Sequence, residues 1–427
     1  MAEAAPLLLS VALVLGWFGV TVALWLWKGD LLRRTWREPY FLDTPVLIES
    51  DDWGPGGSFH ADRLRRLAAM LEGHADALGR KPVFTADVVL AVPDTQAIRE
   101  TGAYHRRYLD EAFPEIYQAL RTAMGSGVLV PQLHGLEHLN SEAFMACVRA
   151  GDSRVADAMA DPQWWDWEAL DSPLQAHYVN GYRLPTDPEP PERVALWVRQ
   201  ALDRFRSMFD APSLSTVAPC YLWTADVEAA WREQGVRFIQ CAGYRCIGRD
   251  ASGRYIQDPP LIRVGDASEG GQIHLVRNVM YEPVDGRTTV ETAIREAKAA
   301  ASQALPVTIS THRYNYTRTE EECRRSIAGL DRLLTAIERQ LPRVRYLSSP
   351  ELGQALAAPA EALVNPFEEG SRWPPLARLS GFAKVAPWLQ RLRHRHPKLM
   401  ALALFTGMIL PLLVLWALSL AVRPRRC

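Results

Sequence analysis

No charged side chain occurs from Pro6 to Trp27, nor from Leu399 to Val422. Each run exceeds about 20 residues, enough at about 1.5 Å per residue to cross a hydrocarbon core of about 30 Å. Each is therefore expected to be a transmembrane helix, leaving only the intervening chain to fold in water. A cleavable signal peptide fits the first run poorly, because no basic leader precedes it and Trp25 and Trp27 stand where a small-residue cleavage site belongs. A buried core helix fits the second run poorly, because Arg391, Arg393, Arg395 and Lys398 precede it and Arg423, Arg425 and Arg426 follow it. Lys28, Arg33, Arg34 and Arg37 follow the first run and no basic residue precedes it, so the positive-inside rule puts the middle of the chain in the cytoplasm; the three C-terminal arginines speak against this. The expectation is a multi-pass protein of the cell inner membrane with a cytoplasmic catalytic domain.

The formal net charge of -1 provides no basic footprint for nucleic acid, which is set aside as a partner. The six cysteines, Cys147, Cys220, Cys241, Cys246, Cys323 and Cys427, include no Cys-x-x-Cys pair and are read as reduced.

Between the apolar runs, short β-branched stretches alternate with amphipathic ones, the signature of a βα-repeat domain with a parallel sheet. Strands are expected at Pro45–Glu49, Pro82–Val89, Gly127–Leu133, Ser215–Ala218, Val236–Cys241, Ile273–Val276, Val307–Ser310 and Arg343–Leu347. Helices are expected at Asp62–Leu78, Pro191–Phe209, Ala225–Gln234, Val290–Gln303 and Glu320–Arg339. That strand count suits a barrel. The divisions are a transmembrane helix at 6–27, a catalytic domain at 40–355 with insertions near 91–111 and 151–190, a linker with a basic juxtamembrane segment at 356–398, and a transmembrane helix at 399–422.

In such a domain the active site gathers at the C-terminal ends of the strands. The first strand, Pro45-Val-Leu-Ile-Glu-Ser-Asp-Asp-Trp-Gly-Pro-Gly-Gly57, runs into adjacent carboxylates, which repel one another unless a cation or a shared proton relieves them. The third ends in His134-Gly-Leu-Glu-His138, and two imidazoles with Asp52 make up the usual donor set of an open zinc site. His-x-x-Glu-His also marks a class of zinc peptidases in which it lies on a helix with glutamate as base. Gly135, and an N-cap at Asn140 or Ser141, argue for a strand end instead. The seventh strand ends in His312, on the same rim.

Asp51-Asp52 after the opening strand, His134 and His138 after the third, and His312 at the end of a late strand together resemble the polysaccharide deacetylase family, the NodB-homology carbohydrate esterases. The resemblance spans about residues 44–352. It implies an α/β fold, a distorted (β/α) barrel of the polysaccharide deacetylase type, here flanked by one transmembrane helix at each end. It also implies Asp51 as general base, His312 as general acid, and Asp52, His134 and His138 as ligands of a divalent metal with zinc as the default. Where the family carries Arg-x-Pro and an aromatic, this chain reads Ser215-Thr-Val-Ala-Pro-Cys-Tyr221, so Val217 replaces the arginine that orients the base. Arg183, in Gly181-Tyr-Arg-Leu-Pro185, is the candidate to replace it. No Asp-x-x-Asp-Trp motif is found.

The implied activity is removal of an N-acyl group from an amino sugar, acetyl before formyl, on a lipid-linked or cell-surface glycan. The membrane runs favour a polyprenyl-linked sugar, in a possible polysaccharide biosynthesis complex. Trp53, Tyr221, Arg183 and Trp165 are the candidate substrate contacts. The alternative is a non-catalytic sugar-binding or scaffold component of such a complex, suggested by the missing arginine.

Overall fold

The computed structural model describes residues 4–41, 43–358 and 384–422. They fall into two compact units, one of residues 43–301 and 306–358, the other of residues 4–41, 302–305 and 384–422.

The first of these units is built on a parallel sheet whose strands are β1 (Thr44–Trp53), β2 (Phe84–Val89), β3 (Leu129–Gly135), β4 (Ser215–Thr216), β5 (Phe238–Cys241), β6 (Ile273–Val276), β7 (Val279–Met280), β8 (Val307–His312) and β9 (Val344–Tyr346). Their order is β6-β5-β4-β3-β2-β1-β8-β7, with β9 paired to the first residues of β1. All ten residues of β1 are buried, as expected of a parallel strand covered on both faces. The two edges of the sheet belong to one stretch of chain. Ile273–Val276 pairs with β5, and only Arg277 and Asn278 intervene before Val279–Met280 pairs with β8. The sheet thus curls into a distorted (β/α) ring closed by the backbone itself.

Amphipathic helices clothe the ring. Pro191–Phe209 buries Val194, Trp197, Val198, Ala201, Leu202, Phe205, Met208 and Phe209, the three-and-four spacing of one helical face. Full burial of a side chain such as Phe205 contributes about 2–3 kcal/mol. Glu320–Gln340 starts at a capping box in which Thr319 and Glu322 satisfy each other's backbone N–H groups. The expected insertions are a short antiparallel ribbon, Ala91–Pro93 with Arg106–Tyr108, and an irregular segment whose Trp164, Trp167, Leu170 and Leu174 form a local core with Phe144.

The other unit departs from two uninterrupted spans. No single helix among the described residues is long and apolar enough to cross a membrane; two bent pairs pass that test together, Leu9–Leu24 with Leu26–Arg37 at 60° and Pro397–Phe405 with Leu410–Leu418 at 89°. The second break has a local cause. Gly407 takes a left-handed φ of +69°, Thr406 turns its hydroxyl back onto the Leu402 carbonyl at 2.7 Å, and Pro411 has no N–H to continue the ladder. Trp17 Nε1 donates to the Thr406 carbonyl at 2.6 Å, which joins the two apolar segments at that break.

Within the stretch expected to be a linker, Val385–Arg395 forms a helix. Its Arg391 is fully buried, lies 3.8 Å from the Tyr40 ring, and donates to the Gln303 and Pro39 carbonyls and to Glu38. Residues 359–383 of that linker, and Arg423, Arg425 and Arg426, lie outside the described residues.

Candidate metal and active site

Parallel register assembles the site. Asp51 stands opposite His312 in the pairing of β1 with β8. Leu133 pairs with Thr216, which sets His134 beside Val217. The Val217 carbonyl can only accept, so His134 Nδ1 donates to it at 3.0 Å and Nε2 keeps a bare lone pair.

Neighbouring strand residues normally face opposite sides, yet Asp51 and Asp52 both reach the centre. The register of β1 against β2 shifts between Ser50 and Trp53, and Asp52 adopts φ +70° there. Aspartate is among the few residues other than glycine that tolerate this conformation. Gly54 follows with φ +146°, where a Cβ would sit 2.2 Å from the Val89 carbonyl oxygen, so no side chain fits.

Asp52 Oδ1 lies 3.3 Å from His134 Nε2 and 3.2 Å from His138 Nε2. One donor atom from each of these buried residues lies within 4.8 Å of the other two. Asp52 Oδ1 is itself buried without a hydrogen-bond partner. A carboxylate oxygen left so is costly, and a divalent cation would satisfy it and two imidazole lone pairs together. Burial holds His138 down at about 4 against the pull of Asp52, so its imidazole is neutral near pH 7, the form that ligates. The residues present fit a first-row divalent ion.

The loop around His138 is held from three sides. Trp167 stacks on the His138 ring at 6.0 Å and 15°. Asn140 caps the helix Ser141–Ala150, accepting from the Ala143 N–H at 2.8 Å. Glu137 is fully buried; one carboxylate oxygen accepts from Arg106 Nε at 2.9 Å and the other from the Tyr104 hydroxyl. The peptidase alternative needs that glutamate as a base on a helix. Here it anchors a strand-end loop to the first insertion.

The cation that meets Asp51 is Arg277, at the two-residue junction that closes the ring. Its Nη1 and Nη2 each donate to one oxygen of Asp51 at 2.6 Å. It also donates to Glu49 at 2.8 Å, to Gln240 at 3.0 Å, to Asp87 at 3.2 Å and to the Tyr221 hydroxyl at 2.9 Å. Burial alone would raise Asp51, but the charge and hydrogen bonds of Arg277 outweigh it and hold this carboxyl at about 2. Three buried carboxylates, Glu49, Asp51 and Asp87, thus share one guanidinium. Asp87 carries the consequence: burial, then the negative charge of Asp51, pushes its carboxyl well above the usual range.

His312 Nδ1 lies 2.6 Å from Glu282 Oε1, and Nε2 lies 3.7 Å from Asp51 Oδ2. Burial would lower this imidazole, but Glu282, then Asp51 and Asp52, raise it to about 10, so it holds its proton at neutral pH. Neither Arg277 nor Glu282 was among the expected site residues. Arg277 directly follows an expected strand on the active rim, which is the signal that could have found it; Glu282 follows a strand only two residues long.

The expected substrate contacts separate. Arg183 is exposed, 5.5 Å from the Tyr182 ring, and takes no part in the Asp51 cluster, where Arg277 already fills both oxygens. Trp53 is fully buried, with Nε1 on Ser50 Oγ at 2.9 Å and its ring stacked on Tyr316, so it supports the strand and offers no face to a ligand. Tyr221 is half-buried beside Arg277. Trp165 is half-buried at the edge of the second insertion.

No family model and no curated protein matches the sequence. Solved structures similar to the chain include a 4-alpha-glucanotransferase from Thermococcus litoralis (TM-score 0.40, 10% identity, 73% of this chain covered), of whose length the chain spans 40%. A family 4 carbohydrate esterase from Streptomyces lividans in complex with acetate matches with TM-score 0.35 and 10% identity over 73% of this chain and 96% of that one. A variant of a peptidoglycan deacetylase from Bacillus subtilis matches with TM-score 0.35 and 9% identity over 75% and 94%.

Proposed function

We propose that this protein is a metal-dependent hydrolase that removes an N-acyl group from an amino sugar of a lipid-linked or cell-surface glycan. One observation carries the reading: Asp52, His134 and His138 converge on a buried, unpartnered carboxylate oxygen, directly beside a strand pairing that sets Asp51 opposite His312.

A divalent ion held by those three residues, zinc by default, would polarise the amide carbonyl and acidify a water. The chain's own residues divide the proton work. Asp51, anionic and locked by Arg277, accepts the proton of the attacking water. Its low basicity suits it only to a water that is already acidified. His312, held protonated by Glu282, donates to the departing amine, which leaves poorly as an anion. Its side chain is 27% exposed, open enough to meet a substrate. Trp167 and Glu137 keep the His138 loop in register while this happens.

The membrane is proposed as the setting because both bent helix pairs carry outward apolar side chains, Phe405 at 92% exposure among them, next to basic residues. This favours a polyprenyl-linked sugar on the cytoplasmic side. The test is acetate and free-amine release from N-acetylglucosamine oligomers and from polyprenyl-linked N-acetyl sugars by the metal-loaded full chain. Release abolished by His134→Ala supports the reading, and no release from any of them overturns it.

A further inference from the structure

Of the three tryptophans in the second insertion, Trp164 and Trp167 are buried in its core, and Trp165 is left half-open. Its indole lines two cavities, one of about 300 Å³ and one of about 510 Å³, both within the range that small-molecule sites occupy. The larger holds polar groups that the fold leaves unused. Among the described residues the Asp166 carboxylate makes no hydrogen bond or ion pair, and the Arg318 guanidinium, over the Tyr314 ring, has no carboxylate partner.

Both cavities are tied to His60. This side chain is buried and kept neutral, near 2, by burial and then by Arg313 and Arg63; its Nδ1 has no partner. That nitrogen faces Gly56 on the wall of the smaller cavity, where a Cβ would sit 2.2 Å from it.

An ion pair between buried Arg313 and half-buried Glu168 runs from the larger cavity toward the catalytic centre. Arg313 directly follows His312, and its N–H donates to the Asp51 carbonyl at 3.0 Å. Its guanidinium donates to Glu168 at 2.9 Å and lies 4.3 Å from the Trp167 ring that stacks on His138.

We infer that the Trp165 cleft is a saccharide subsite, taking a sugar ring next to the one that bears the scissile amide. The inference rests on the proposed deacylase activity for its place in the reaction, but not for the binding itself. A pyranose presents a flat C–H face that packs on an indole, and its rim hydroxyls match one free acceptor, Asp166, and one free donor, Arg318. A peptide of one charge sign would leave one of those two groups unmatched. The platform stands on an insertion, so the strand-end chemistry is complete without it and the cleft adds reach along a chain.

The test uses the full chain in detergent and N-acetylglucosamine oligomers of one to five residues, β-1,4 and β-1,6 linked. Tryptophan fluorescence of the metal-free protein should titrate with the longer oligomers and not with the monomer. An aromatic contact of this kind is worth about tenfold in affinity, so Trp165→Ala should lose about that much, with Trp165→Phe retaining most of it. In turnover, Trp165→Ala should lower the pentamer-to-monomer ratio of kcat/KM by a similar factor. Oligomer binding unchanged in Trp165→Ala, or binding of acidic peptides in place of sugars, overturns the subsite. If no sugar is deacylated but the fluorescence titration is lost in Trp165→Ala, the subsite stands and the catalytic reading falls.

Discussion

Glu282→Gln removes the charge that keeps His312 protonated and leaves the imidazole in place. Glu282 Oε1 is 2.6 Å from Nδ1 and supplies the two leading upward contributions against burial, which works downward; Asp51 and Asp52 add the rest. Because the acid form donates to the leaving amine, the wild-type rate should hold through neutral pH and fall as pH rises through about 10. Without Glu282 the falling limb should move toward the ordinary 6.5. At about pH 8 an imidazole of that strength is roughly 3% protonated, so the rate should drop about thirtyfold there and recover toward about pH 6. The assay is initial acetate release across the pH range with metal held constant. An alkaline limb that stays near 10 in Glu282→Gln would refute the assignment of His312 as the acid held by Glu282.

Arg277→Met leaves the buried carboxyl groups of Glu49, Asp51 and Asp87 without their cation and should cost about 3–5 kcal/mol in urea denaturation, whereas Arg277→Lys, which keeps the charge but cannot bridge both Asp51 oxygens, should fold and lose about a hundredfold in kcat. Burial, then the charge of Asp51, raises the Asp87 carboxyl in the folded state, so its contribution to stability is present below its unfolded value and declines as pH rises above that. Asp87→Asn should therefore flatten thermal stability as pH rises above the ordinary carboxylate range and should not lower Tm on that alkaline side.

The strands were legible because a parallel sheet buried on both faces demands continuous β-branched runs, and all eight expected strands are present in the sheet, seven in the ring and the eighth, β9, paired to β1 beside it. The cluster of Asp52, His134 and His138 was legible because these residues lie at strand ends, where a parallel ring converges. Arg277 was not, because the segment that closes the ring changes partner strand across two residues, and periodicity cannot show a partner change. Glu282 follows Val279–Met280, a strand too short to carry a pattern. Trp53 is buried because the Asp52 turn shifts the facing of its neighbours, which sends the indole inward, and no sequence period marks that turn. The apolar ends were legible in composition. Their breaks were not, since Gly407 and Pro411 are tolerated in many apolar helices and become a bend only through the chain's local path.

Everything proposed about catalysis depends on one ion at Asp52, His134 and His138. The direct measurement strips the full-length protein with chelator, returns zinc in sub-stoichiometric steps, and follows acetate release from N-acetylglucosamine oligomers together with bound metal. The expected result is activity rising linearly to a plateau at one ion per chain, with neither binding nor activity in Asp52→Asn. Release that is indifferent to metal, or one tightly bound ion per chain that survives in Asp52→Asn, would contradict the assignment.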